Sequence, residues 1–192
     1  MSSSIRRVGL LTGTFDPVHL GHVALARGAQ DACELDEVWF LVNPQPAHKQ
    51  GVTALVDRLA MVRLAVTDEP LMREGEPEAR PAGSARHTMA DFGQMMARYP
   101  DVEFVFIVGV DVLATLGSWE EADLARGMRY AVARRGGKVA ATDPRLQVLW
   151  FDLTEHVGAS SRKVQAQLQA GRRPDELDER VYEYIREQRL YT

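Results

Sequence analysis

Gly13-Thr14-Phe15-Asp16-Pro17-Val18-His19-Leu20-Gly21-His22 joins an apolar run to a helical pattern. The run before it, Val8-Gly9-Leu10-Leu11, reads as the end of a strand over residues 5–11. Val23-Ala24-Leu25-Ala26-Arg27, after it, reads as part of a helix over 20–33. A glycine, a proline and two histidines therefore fall at a strand-to-helix turn. Gly13 lets the backbone approach a ligand closely, and Pro17 fixes φ at the turn. The first N–H groups of the helix lie at the positive end of its dipole and favour a bound phosphate. His19 and His22 are three apart and share one face at a helix start, where both can donate to one anionic group. The glycines do not fall in the dinucleotide fingerprint, and no Lys-Ser or Lys-Thr follows as in a Walker loop. With no third ligand nearby and a single cysteine in the chain, a metal site is not expected at the two histidines.

Working outward, the 192 residues are enough for one domain with a sizeable core, and 45 % of them are hydrophobic, as in ordinary globular chains. The net charge of −4 gives no global attraction to nucleic acid or to a membrane. Cys33 is the sole cysteine, so no intrachain disulfide forms, and a cytoplasmic setting is expected. Residues 1–7 lack the apolar core of a signal peptide, and no run is long enough to span a bilayer.

Apolar runs alternate with amphipathic ones along the chain, the pattern of a parallel sheet covered by helices. The second strand is read over 37–42. It ends in Asn43-Pro44-Gln45-Pro46-Ala47-His48-Lys49, a loop at the carboxyl end of a strand, where ligands bind in open α/β sheets. His48 and Lys49 either reach a phosphate there or are simply solvated. A helix over 55–66 carries Asp57 and Arg58 near its start. Residues 71–79 read as a weak edge strand, and a helix runs from His87-Thr88 to Tyr99. The strand over 104–108 leads into Gly109-Val110-Asp111, whose carboxylate suits either a ribose or a helix cap. Trp119 follows, which by itself reads as an aromatic packed in the core. Further strands are read over 128–133 and 146–153. Ser160 and Ser161 then precede an amphipathic helix as caps, and with Arg162 and Lys163 they form a second anion site. The tail, 181–191, reads as an amphipathic helix.

On these residues the chain resembles the nucleotidylyltransferase superfamily, and within it the bacterial nicotinate-nucleotide adenylyltransferases. The ten-residue turn matches the superfamily's phosphate-binding motif, and His19-Leu20-Gly21-His22 fills its His-x-Gly-His core without a departure. Pro46-Ala47-His48-Lys49 matches the family's Pro-x-His-Lys loop, and Gly109-Val110-Asp111 its Gly-x-Asp. Other stretches match in part. Thr88 alone survives from Ser-Tyr-Thr, where Arg86 and His87 now stand. Arg135 fits an Arg-Pro-Gly that has lost its proline. Ser160 and Ser161 are kept, while Arg162 occupies a threonine position and Gln165 an arginine position.

The resemblance implies a single Rossmann-like open parallel sheet with helices on both faces, one domain over 1–192. It implies transfer of the adenylyl group of ATP to the 5′-phosphate of nicotinate mononucleotide, a step in making NAD. Implied catalytic residues are His19, His22 and Lys49. Gly13, Thr14, Phe15, His22, Gly109, Asp111, Arg135, Ser160, Ser161 and Arg162 would hold ATP. Arg86, His87, Thr88 and Trp119 would hold the acceptor. Mg²⁺ would arrive on ATP oxygens, with no protein metal cage. Nicotinamide mononucleotide or phosphopantetheine as acceptor, and a nucleotide sensor without catalysis, stay as alternatives. A homo-oligomer is compatible with the sequence.

Overall fold

Both faces of the central strands are apolar, and the structure shows what covers each. The computed structural model describes residues 5–44, 51–75, 89–113, 126–134 and 143–192. Its strands are β1 (Arg6–Gly13), β2 (Glu37–Val42), β3 (Met72–Glu74), β4 (Val102–Gly109), β5 (Arg129–Arg134) and β6 (Gln147–Asp152). Its helices are α1 (Leu20–Cys33), α2 (Leu55–Ala65), α3 (Met89–Arg98), α4 (Val110–Leu113), α5 (Ser161–Gln169) and α6 (Glu179–Glu187). All strand pairs are parallel, in the order β3-β2-β1-β4-β5-β6. The α/β class, the parallel sheet and the two covered faces are as the sequence implies.

Side chains alternate between two cores, because successive residues of a strand point to opposite faces. Val38, Phe40, Val105, Ile107, Ala131 and Phe151 pack under α1, α2, α5 and α6. Val8, Leu10, Trp39, Leu41, Phe104, Phe106, Tyr130 and Val132 pack with Phe92 and Met95 of α3 and Leu113 of α4. Each large apolar side chain so buried contributes about 1.5–3 kcal/mol, which makes this sheet the rigid base of the molecule. Small residues let α1 and the segment after it lie close to the sheet. A Cβ at Gly9 would sit 2.7 Å from Leu35 Cδ1, and one at Gly28 would sit 2.7 Å from Phe151 Cε2.

Several boundaries differ from the sequence expectation. Strand β1 runs on to Gly13, since Gly13 pairs in register with Val42 and its carbonyl accepts Asn43 N–H at 2.7 Å. Pairing with β1 extends β4 back to Val102, and pairing with β5 carries it on to Gly109. The edge strand β3 covers Met72–Glu74 and stops before Gly75, and residues 76–79 of the expected stretch lie outside the described residues. The tail helix α6 ends at Glu187, and Arg189 and Tyr191 beyond it have φ of 52° and 61°.

The order places β1 beside β4 with the crossovers diverging to either side. They are paired up to Leu11 and Ile107 and end two residues later, at Gly13 and Gly109. In such sheets ligands bind in the crevice outside these carboxyl ends.

Candidate active site

The turn after β1 is built around a buried ring. Phe15 has φ of 50°, in the left-handed region, and is 2 % exposed. Its ring lies edge-on to His22 at 5.0 Å and tilted against Phe40 at 5.5 Å. A Cβ at Gly13 would stand 2.8 Å from Phe15 Cζ. The space freed by the missing Cβ of this glycine is thus taken by the Phe15 ring.

His19 caps α1 in extended backbone conformation. The His22 N–H donates to the His19 carbonyl at 2.8 Å, and His22 Nδ1 accepts the His19 N–H at 3.1 Å. An accepting Nδ1 leaves the ring proton of neutral His22 on Nε2. The two imidazoles stack with centroids 3.7 Å apart, so the pair acts as one unit. His19 is nearly buried, while His22 is half-buried.

Gly21 brings the second helix start to the first. A Cβ there would lie 2.9 Å from Ala159 Cβ and 3.0 Å from His19 Nδ1. With hydrogen in its place, the first turn of α1 packs against the segment that caps α5. Ser160 caps α5, its side chain accepting Lys163 N–H at 3.3 Å. Ser161 Oγ donates to the Pro17 carbonyl at 2.9 Å, and Gln165 Nε2 donates to the Asp16 carbonyl at 2.7 Å. The two anion-favouring helix starts therefore adjoin one another. Beside them is a cavity of about 520 Å³ lined by Asp16, Gly51, Val52, Ser160, Ser161, Arg162 and Gln165. Another cavity, of about 550 Å³, opens near the amino ends of β1, β5 and β6. Its guanidinium groups are already matched, Arg7 with Glu34 and Glu103 and Arg129 with Glu103, and it holds neither helix start.

Beneath the turn is Arg58, 1 % exposed. Its guanidinium donates to the carbonyls of Thr53 at 2.8 Å, Thr14 at 2.9 Å, Asn43 at 2.6 Å and Pro44 at 2.8 Å. It joins the loops after β1 and β2 to the start of α2. Burial lowers its pKa from the ordinary arginine value, and the Asp16 carboxylate opposes that shift. The sequence reading gave Arg58 no role. Its signal was position: Arg58, Met61, Val62 and Ala65 form the buried stripe of α2 at helical spacing. Asp16 is buried too, and its Oδ1 accepts the Tyr191 hydroxyl.

The other expected residues divide in two. Gly109 closes β4, and a Cβ there would meet no described residue within 4 Å. Asp111 falls within the four-residue helix α4, directly past the end of β4. His48, Lys49, Arg86, His87, Thr88, Trp119 and Arg135 lie outside the described residues. Among the described residues no three His, Cys, Asp or Glu side chains converge as a metal cage. No helix among them is long and apolar enough to cross a membrane.

A six-stranded parallel sheet with a histidine turn and a second helix start at its switch point is the nucleotidylyltransferase arrangement. Residues 10–167 match the model of the cytidylyltransferase-like family, and the chain belongs to that family. It is 37 % identical to a probable nicotinate-nucleotide adenylyltransferase of Gloeobacter violaceus, over 96 % of each chain. It is 36 % identical to the probable nicotinate-nucleotide adenylyltransferase of Exiguobacterium sibiricum, over 79 % of this chain and 86 % of that one. In fold it is similar to Plasmodium falciparum nicotinic acid mononucleotide adenylyltransferase complexed with NaAD. The TM-score there is 0.82 at 16 % identity, over 97 % of both chains.

Proposed function

We propose that the chain, acting as one domain, transfers the adenylyl group of ATP to the 5′-phosphate of nicotinate mononucleotide. Deamido-NAD and pyrophosphate are the products. The observation that carries this reading is the packing of the α1 start against the α5 cap at Gly21 and Ala159. Two sets of outward N–H groups side by side suit a polyphosphate. The names of the full-length relatives supply the acceptor.

An oxygen of the acceptor phosphate forms a bond to the α-phosphorus of ATP. The bond from that phosphorus to the bridging oxygen of the β-phosphate breaks, and pyrophosphate leaves with the electron pair. The attacking phosphate is already anionic, so no side chain must remove a proton. Catalysis then consists of aligning two repelling anions and stabilising the charge of the transition state. In this reading His22 donates from Nε2 to the α-phosphate, and His19 fixes His22 and borders the neighbouring phosphate. Lys49 neutralises charge across the reaction. Ser160, Ser161 and Arg162 contribute the α5 start and its cation to the polyphosphate. Gly13, Thr14 and Phe15 shape the turn, and Gly109, Asp111 and Arg135 hold the nucleoside of ATP. Arg86, His87, Thr88 and Trp119 form the acceptor pocket. Magnesium enters with ATP as part of the substrate, on phosphate oxygens.

The test is pyrophosphate release from ATP and magnesium with nicotinate mononucleotide, beside nicotinamide mononucleotide and phosphopantetheine. Strong preference for the first is the expected result. Turnover only with another acceptor would keep the phosphate chemistry and replace the substrate. ATP binding with no release from any acceptor would make the protein a nucleotide sensor.

A further inference from the structure

A carboxylate stands in the wall of the phosphate cavity. Asp16 lines it together with Ser160, Arg162 and Gln165, and a free negative charge there would repel a polyphosphate. Both of its oxygens have a donor: Oδ1 takes the Tyr191 hydroxyl, and Oδ2 takes the Thr53 N–H at 3.4 Å. We propose that Tyr191 is a positioning residue of the site, whose hydroxyl holds the Asp16 carboxylate back into the protein and away from the bound polyphosphate. This rests on the reading of the cavity as the polyphosphate site.

Three features support the assignment. Tyr191 comes from a segment 175 residues further along the chain and sits at φ of 61°. A non-glycine residue is held in that region only where its contacts determine it. Burial, and then the bond to Asp16, raise the Tyr191 phenol well above its ordinary value, so it remains a donor at neutral and mildly alkaline pH. Moreover, the backbone of the same turn is fixed by other groups. The Asp16 carbonyl takes Gln165, the Pro17 carbonyl takes Ser161, and Leu20 N–H donates to the Glu176 carbonyl at 2.8 Å. The Tyr191 hydroxyl is therefore left to govern the direction of the carboxylate rather than the path of the chain.

The experiment is Tyr191→Phe, which removes one oxygen, with calorimetric binding of magnesium pyrophosphate and of adenosine measured separately on the full chain. Pyrophosphate affinity is expected to fall about tenfold, the scale of one hydrogen bond to a charged group, while adenosine affinity stays within about twofold. The KM for ATP should rise in step, with a smaller change in kcat. A merely structural role would weaken both ligands alike. In an Asp16→Asn background the charge is gone, so adding Tyr191→Phe should change pyrophosphate affinity by less than about twofold. Equal losses in both backgrounds, or no loss in the first, would overturn the proposal, as would a wild type that binds no pyrophosphate. If Tyr191→Phe alone does not fold, the double variant replaces both partners of the bond and is compared with Asp16→Asn. A wild type that binds pyrophosphate but turns over no acceptor would refute the reaction while leaving the role of Tyr191 to the same binding comparison.

Discussion

His22 does two things with one ring. Its Nδ1 accepts the His19 N–H, which puts the proton of the neutral ring on Nε2, the atom that donates to the α-phosphate in the proposed reaction. Asparagine separates the two, since its side-chain oxygen replaces the acceptor but nothing replaces Nε2. His22→Asn is expected to melt close to wild type and to lose about 10²–10³-fold in kcat, the cost of removing one preorganised donor to a developing charge. Steady-state pyrophosphate release and a thermal melt check both halves. The histidine pair was legible because a three-residue spacing at a helix start admits one geometry. The Phe15 ring beside Gly13 was not legible, because it is folded back by a positive φ that no sequence pattern announces.

Among the elements, α2 carries the most consequence for the site while offering it no ligand. Its buried stripe ends in Arg58, which ties down the loops at the carboxyl ends of β1 and β2. Arg58→Ala would leave four backbone carbonyls without their donor in a dry environment. The expected loss is about 3 kcal/mol or more, read as a lower urea midpoint, with Arg58→Lys between the two because an ammonium has fewer donors and no fixed fork. The helices and strands themselves were readable from periodicity. Their ends were less so: β1 gains residues from pairing with β2, and β4 from pairing with β1 and β5, a nonlocal effect. The tail helix stops early because Arg189 and Tyr191 turn left-handed, and Tyr191 so placed reaches Asp16.

At the scale of the whole molecule the two cores hold phenols that resist ionisation. Burial pushes Tyr130 up to about 12, and Tyr191 is raised as well. A raised pKa means that the folded chain holds the proton more tightly than the unfolded one, whose tyrosines titrate near the ordinary value of about 10. The stability these groups lend is full below about pH 10 and is lost as pH rises through the folded values. Melting temperature should therefore fall steadily on the alkaline side of about pH 10, and Tyr130→Phe should flatten that fall. Scanning calorimetry over a pH series measures it. The parallel sheet and its covering helices followed from the alternation of apolar and amphipathic runs, whereas the strand order and the long-range ties did not. Those ties set an order of events during synthesis. Ser161, Gln165 and Tyr191 reach residues 16 and 17 across 144, 149 and 175 positions of chain. The histidine motif and the six described strands are all translated before these partners. A nascent chain can thus assemble these strands while the turn still lacks the groups that hold it, so the turn is ordered after the sheet.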